Sequence, residues 1–427
     1  METVILGSGI AGISAGYHLE KNGEKPVIYE RNGDWGGLCA NFTINGFRFD
    51  KFVHFTFAPD DYIRNIFEKS SPTFAHPSVS SNFYKGFWLK HPAQNNLAPL
   101  PADEKVEIIK GFINRPKKPF EELENYEDWL RVQYGDYFAE NFPFRYTRKY
   151  WGVEPKELET KWVGNRMHKP DLDEVLKGAF EVQDKNFYYT SHMKYPKKGG
   201  FRSILNDCRE DLDIRFNKEA VKINPTAKTV TFKDGTETKY SRLISTLPLP
   251  EIVKMIDGIP LDIKRAGENL MHTSGYMVSL GFKRPDVAKH LWFYIYDEDI
   301  LSSRVYSPSL KSPDNVPEGC SSLQAEIFFS NRAEIPEADA VLKNTIEKLT
   351  AMRLFTEDEI VVKDIRFEKY ANVIFDKNIY KNREIVLDYL ESVGIESIGR
   401  FGKWEYMWTH QAFADGMKIA MEKICHC

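Results

Sequence analysis

The stretch Thr3-Val4-Ile5-Leu6-Gly7-Ser8-Gly9-Ile10-Ala11-Gly12 decides the fold. A strand-like run enters a Gly-x-Gly-x-x-Gly turn, and a helical pattern follows through Leu19 until Asn22-Gly23 stops it. After Pro26 the apolar run Val27-Ile28-Tyr29 ends in Glu30, which completes a strand–helix–strand unit, right-handed by the general rule for such crossovers. Gly7 permits the tight turn, Gly9 lets backbone approach a pyrophosphate, and Gly12 lets helix and strand pack closely. The free N–H groups at Ile10 and Ala11, together with the helix dipole, then face the phosphates. Glu30, 18 residues beyond Gly12 and followed by Arg31, is placed to accept both ribose hydroxyls. The pattern predicts dinucleotide binding.

Composition agrees with a globular protein built on such a unit. The 427 residues exceed one small core, and 42% hydrophobic with 28% charged residues excludes a disordered chain. A net charge of -4 gives no broad basic surface and argues against nucleic acid. No apolar run is long enough to span a bilayer, and the first residues read as a strand, without a signal peptide's pattern, so the expected location is cytoplasmic, with no membrane insertion. Five scattered cysteines (Cys39, Cys208, Cys320, Cys425, Cys427) fit reduced thiols, and no metal site is expected.

Along the chain, the text from about 60 to 190 turns helical, with aromatic and charged stretches such as Phe120 to Arg131 and Pro155 to Trp162. Short strands return over 212 to 247, with an Asp234-Gly235 turn, and residues 274 to 330 alternate as an antiparallel sheet with one covered face. A strand, a glycine loop and a helix running to Ile424, capped by Thr409, close the chain back on the cofactor. The expected architecture is α/β: a discontinuous Rossmann-type dinucleotide-binding domain (1–60, 190–250 and 395–427), an inserted helical lobe (61–189) and an antiparallel-sheet substrate domain (251–394).

The assignment to FAD comes from Asp34-Trp35-Gly36-Gly37-Leu38, a second glycine doublet just after the ribose acid. Here the sequence resembles the flavin amine oxidase superfamily, also that of protoporphyrinogen oxidases, and the resemblance implies FAD in place of NAD. A narrower resemblance covers most of the chain: it is similar to the UDP-galactopyranose mutases. In Arg48-Phe49-Asp50-Lys51-Phe52-Val53-His54, His54 falls where that family keeps a histidine beside the flavin, with Phe52-Val53 standing where a glycine pair is usual. In His91-Pro92-Ala93-Gln94-Asn95-Asn96, Gln94 matches the stretch that holds the nucleotide base, while His91 and Ala93 replace aromatic positions.

Tyr146 and Trp151, then Arg166 in Trp162-Val163-Gly164-Asn165-Arg166, match the family's sugar platform and first phosphate arginine. A planar guanidinium suits a diphosphate, and phenol and indole rings suit a sugar face. Tyr294 and Arg304 match its phosphate tyrosine and second arginine. Gly399-Arg400-Phe401-Gly402-Lys403-Trp404-Glu405-Tyr406 matches its closing motif, Asn372 replaces a second aromatic near the sugar, and Val221 and Gln411 complete the implied flavin contacts. The resemblance implies a pyranose/furanose mutase of nucleotide-diphosphate sugars, a polysaccharide-pathway isomerase. Reduced FAD N5 attacks the anomeric carbon with no net redox, and NAD(P)H is an external reductant. Arg166, Arg304, Tyr294 and Tyr406 stabilise the departing diphosphate. The alternative within the superfamily is an FAD-dependent oxidase or dehydrogenase. Oligomeric state is left open.

Overall fold

The computed structural model describes residues 2–164, 166–187 and 190–421. Asn165, Ile424 and the terminal Cys425 and Cys427 lie outside the described residues. Two seven-stranded sheets organise the chain. In the first, Ile395–Ser397, Glu237–Ser245, Glu2–Leu6, Val27–Tyr29 and Asp213–Arg215 run parallel in that spatial order. An antiparallel extension through Thr229–Phe232 and Ala220–Asn224 continues it. Its central residues Val4, Ile5, Ile28, Leu243 and Ile244 are almost wholly buried, as parallel strands covered on both faces must be.

The helix Ile10–Lys21 covers one face and the C-terminal helix Thr409–Met421 lies across it. Two glycines make this layering feasible. A Cβ at Gly12 would stand 2.0 Å from the Gly7 carbonyl oxygen, and one at Gly416 would stand 2.3 Å from that of Ala11. Ser14 Oγ then donates to the Phe413 carbonyl at 2.6 Å, tying the first helix to the last.

The second sheet runs Ile360–Val373, His272–Phe282, Ser321–Ser330, Arg304–Tyr306, Trp292–Ile295, Ser81–Tyr84 and Phe87–Lys90. Its last two strands come from the stretch read as helical. Lys85-Gly86 joins them with φ of 47° and 86°, the conformation of a two-residue hairpin turn between right-twisted strands. The rest of that stretch is mainly helical: Ala102–Ile113, Tyr126–Tyr134, Asp136–Asn141, Pro143–Trp151 and Leu172–Phe180. Helix Tyr126–Tyr134 starts later than the composition suggests because Asn125 caps it, its side chain accepting the Asp128 N–H at 3.1 Å. Pro155 to Trp162 forms one 3-10 turn at Pro155–Glu157 and further turns. No described helix is long and apolar enough to cross a membrane.

Candidate active site

A cavity of about 980 Å³ runs from the glycine turns of the first sheet to the aromatic face of the second. At the first end the two glycine turns are latched together: Gly36 N–H donates to the Ser8 carbonyl at 2.9 Å, and Gly9 bridges Gly36. Gly7, Gly36 and Gly37 adopt φ of 96°, 109° and 56°, where a side chain is strained. Gly9 caps the helix without a side-chain hydrogen bond, so its first N–H groups, from Ile10 and Ala11 onward, are left for an anion. Gly7, Gly9, Ile10, Ala11, Arg31, Gly36, Gly37 and Leu38 all line the cavity, while Gly12 sits behind them as a packing position.

Glu30 is buried at the strand end and already accepts from Ser8 N–H (3.0 Å), Ser8 Oγ (2.8 Å), Asn32 N–H (2.9 Å) and Asn32 Nδ2 (2.8 Å). The two side-chain donors can rotate away and yield their places to ribose hydroxyls. Gly399 faces the same end with φ of 78°, and a Cβ there would meet that of Ala11 at 2.7 Å. Its N–H is held by Asp415 Oδ2 at 2.7 Å. Arg400 lines the cavity, and its buried Nε has no partner among the described residues. A phosphate-ready helix start, a ribose acid, backbone that side chains would obstruct and an unsatisfied guanidinium fit a dinucleotide of the FAD type.

Two expected cofactor contacts fall elsewhere. A bulge between Ala220 and Lys222 turns Val221 outward, 44% exposed, and Ala220 lines the cavity in its place. Gln411 is exposed; its Oε1 accepts the Trp408 N–H at 2.8 Å and so closes the start of the last helix, whereas Thr409 and Ala412 face the cavity. Thr409 is thus the helix's first residue and not its cap.

His54 lines the middle of the cavity, stacked on Phe201 at 5.0 Å, with Nδ1 near the Phe52 carbonyl at 3.3 Å. Burial pulls its pKa down to about 4, so the ring is neutral and can hydrogen-bond without adding charge. Phe52, in the place of a glycine, keeps the left-handed φ of 62° and buries its ring against Phe328 at 5.5 Å. Val53 N–H donates to Glu326 Oε1 at 2.6 Å.

At the far end Tyr406 stands between two guanidiniums, Arg166 at 4.6 Å and Arg400 at 5.1 Å from its ring. Arg166 also lies 5.1 Å from the Trp408 ring, donates to the Tyr406 carbonyl at 3.3 Å and to the Trp162 carbonyl, and has a buried, unpartnered Nε. Arg400 Nη2 donates to Asn372 Oδ1 at 2.8 Å, an atom that also lies 3.4 Å from the Tyr150 hydroxyl. No acid pairs with Arg166 or Arg400 among the described residues, so both charges are available to a ligand.

Tyr146 stacks on Tyr150 (5.5 Å) and meets Tyr294 edge-on (5.5 Å), while Trp151 meets Trp162 edge-on (5.3 Å). Burial raises the pKa values of Tyr146 and Tyr150, keeping both hydroxyls protonated as donors. Tyr294 and Arg304 are direct cross-strand neighbours, which explains their ten-residue separation: the chain goes out and back.

Arg304 is not a free cation. Its Nε and Nη2 reach Glu326 Oε2 at 2.7 and 2.5 Å, and Glu326 is fully buried on the next strand, directly opposite. Sequence reading passed over Glu326, although a lone acid inside Leu323-Gln324-Ala325-Glu326-Ile327-Phe328 signals a buried partner. It also passed over Tyr150, Trp162 and Trp408, which line the cavity. Gln94, with Nε2 donating to the His168 carbonyl at 3.3 Å, lines the cavity beside His91.

Comparison with known proteins gives this arrangement relatives. The family model for flavin containing amine oxidoreductase matches residues 10–362. The crystal structure of a reduced UDP-galactopyranose mutase superposes with a TM-score of 0.93 at 25% identity, covering 100% of this chain and 96% of that one. A putrescine oxidase bound to putrescine shares the fold at a TM-score of 0.65 and 15% identity, over 99% of each chain. Human all-trans-retinol 13,14-reductase is 34% identical over 119 residues, 28% of this chain and 17% of that protein. A Staphylococcus haemolyticus 4,4'-diapophytoene desaturase is 32% identical over 74 residues, 17% of this chain and 15% of that protein. The chain therefore aligns with less than a fifth of either curated relative.

Proposed function

The chain belongs to the flavin containing amine oxidoreductases, and from that premise we propose that it is a flavin-dependent mutase of a nucleotide-diphosphate sugar, interconverting pyranose and furanose rings. The observation that carries the reading is the far end of the cavity, where Arg166 stands over the Tyr406 ring with no acid against it among the described residues. Such a corner suits a diphosphate and has no use for an apolar amine. The full-length likeness to a UDP-galactopyranose mutase supports the same reading.

Bound and reduced, FAD would supply an electron-rich nitrogen to the anomeric carbon. The protein's own groups do the rest. Arg166 and Tyr406 hold the diphosphate and stabilise the charge it gains on leaving. Arg304, tethered to Glu326, offers its remaining donors at a fixed height beside Tyr294. Tyr146 and Trp151 form the sugar platform. Asn372, with its oxygen taken by Arg400, presents its amide N–H groups to an acceptor oxygen of the ligand. His54, neutral and wedged against Phe201, orients the isoalloxazine edge. NAD(P)H is the proposed external reductant.

A second reading, an oxidase, dehydrogenase or desaturase, is favoured by the family match and by the named reactions of the curated relatives. The two part in one experiment: the anaerobically reduced protein is given nucleotide sugars and watched by NMR. A furanose product that requires reduced flavin supports the mutase. No product from a broad panel, with substrate-linked peroxide under air, moves the protein to the oxidases.

A further inference from the structure

Behind the middle of the cavity lies a charged pair that does not line it. Lys311, fully buried at the end of the helix Pro308–Lys311, meets Asp50 Oδ2 at 2.5 Å, and Asp50 is 1% exposed at the end of the strand Phe47–Asp50. Three rings enclose the ammonium: Tyr195 at 4.3 Å, Tyr306 at 4.7 Å and Phe55 at 5.6 Å. Such a pair adds little net stability over apolar residues of the same volume, so what it holds in place matters more than what it adds.

Asp50 supports His54 from two sides. Along the chain it anchors Lys51-Phe52-Val53-His54, four residues that all line the cavity. Across space its Oδ1 accepts the Phe201 N–H at 2.9 Å, and the Phe201 ring is the one on which His54 stacks. Its Oδ2 also accepts the Tyr195 hydroxyl at 2.7 Å, while the Tyr306 hydroxyl lies 3.4 Å from its carbonyl oxygen. Lys311 thus fixes the carboxylate on which both supports of His54 depend.

The pair also acts through charge. Burial is the largest cause of the low His54 pKa; Asp50 pulls it back up, and Lys311 and Arg400 push it down. Without the ammonium, a lone carboxylate would stand behind a ring that faces the cavity. We propose that Lys311 is a positioning residue for the cavity: through Asp50 it fixes the His54 wall, and it cancels a buried negative charge so that the ring meets a ligand uncharged. The inference holds for a mutase and an oxidase alike, because it concerns the cavity wall and not the substrate.

The test follows the His54 ring by NMR from about pH 4 to 8 in histidine-labelled, FAD-loaded protein, its signal identified by its absence from His54→Asn. In the unaltered protein the ring should titrate only near the acid end of that range. Lys311→Gln keeps a donor for Asp50 but drops the charge, and should raise the His54 pKa by about one unit or more. Lys311→Arg keeps the charge and should leave the His54 titration where it was. An unchanged His54 in Lys311→Gln, or a raised pKa in Lys311→Arg, overturns the inference. Because a lone buried carboxylate can stop Lys311→Gln from folding, Lys311→Gln/Asp50→Asn is read beside it. With neither charge left and an amide oxygen in reach of the Phe201 N–H, His54 should titrate as in the unaltered protein, and a raised pKa there overturns the inference too.

Discussion

Replacing Arg304 by Met should cost the fold several kcal/mol and should do so through Glu326. The guanidinium and carboxylate are within 2.5 Å, and the acid is fully buried. Two unit charges about 4 Å apart at an effective dielectric of about 20 attract by ~4 kcal/mol. Breaking a buried pair from one side typically costs about 3–5 kcal/mol, because the abandoned charge stays desolvated. Arg304→Met is therefore expected to destabilise by about 3–5 kcal/mol in urea unfolding followed by tryptophan fluorescence. Arg304→Met/Glu326→Leu should recover most of that loss, short of about 1 kcal/mol for the Val53 N–H left without its acceptor. Glu326→Gln keeps an acceptor for Val53 but frees the guanidinium, so a nucleoside diphosphate should bind more tightly. A single-variant cost below about 1 kcal/mol, or a double variant no more stable than the single, would refute the buried-pair argument. Weaker diphosphate binding by Glu326→Gln would show that the acid matters by aiming Arg304 and not by cancelling it.

Three further outcomes are expected. His54, His91 and His272 have pKa values of about 4 in the fold against 6.5 outside it, so the unfolded chain binds more protons between those values. Stability should therefore fall as pH drops from about 6.5 towards 4, by up to about 1.4 kcal/mol per pH unit for each histidine, read as urea midpoints across that window. Gly9→Ala has room, its Cβ standing 4.0 Å from Gly37 Cα, and should give a folded protein that has lost flavin absorbance. Gly12→Ala, 2.0 Å from the Gly7 carbonyl oxygen, should fail to fold, and circular dichroism separates the two cases. Arg166→Lys loses both the planar fork and the stack on Tyr406 and should weaken nucleoside diphosphate binding by roughly 10- to 100-fold, with flavin content unchanged.

The glycine turns and Glu30 were legible because each does one job that few residues can do at that spacing. Tyr294 and Arg304 were legible only through the family resemblance, and the structure supplies the reason for their separation, a cross-strand neighbour relation. What escaped depended on contacts remote in sequence. Glu326 acquires meaning only from a strand 22 residues away. Val221 was displaced by a one-residue bulge, a local irregularity that alternation does not forecast. The hairpin Ser81 to Lys90 was hidden inside a helical stretch despite its Lys-Gly turn, because aromatic strands and aromatic helices look alike over four residues.

The tie between the first and last helices sets a timetable for synthesis. The turn Gly7 to Gly12 leaves the ribosome well ahead of its neighbours Gly399 and Gly416, which are close to four hundred residues behind it. Strand Glu2–Leu6 waits for Glu237–Ser245, and that strand waits for Ile395–Ser397. The phosphate cradle is thus finished only once Gly399 and Gly416 have emerged, so cofactor loading has to wait for them. A ribosome stalled anywhere before Gly399 would carry an N-terminal unit with an exposed apolar face and no means of holding flavin, a natural client for a holding chaperone.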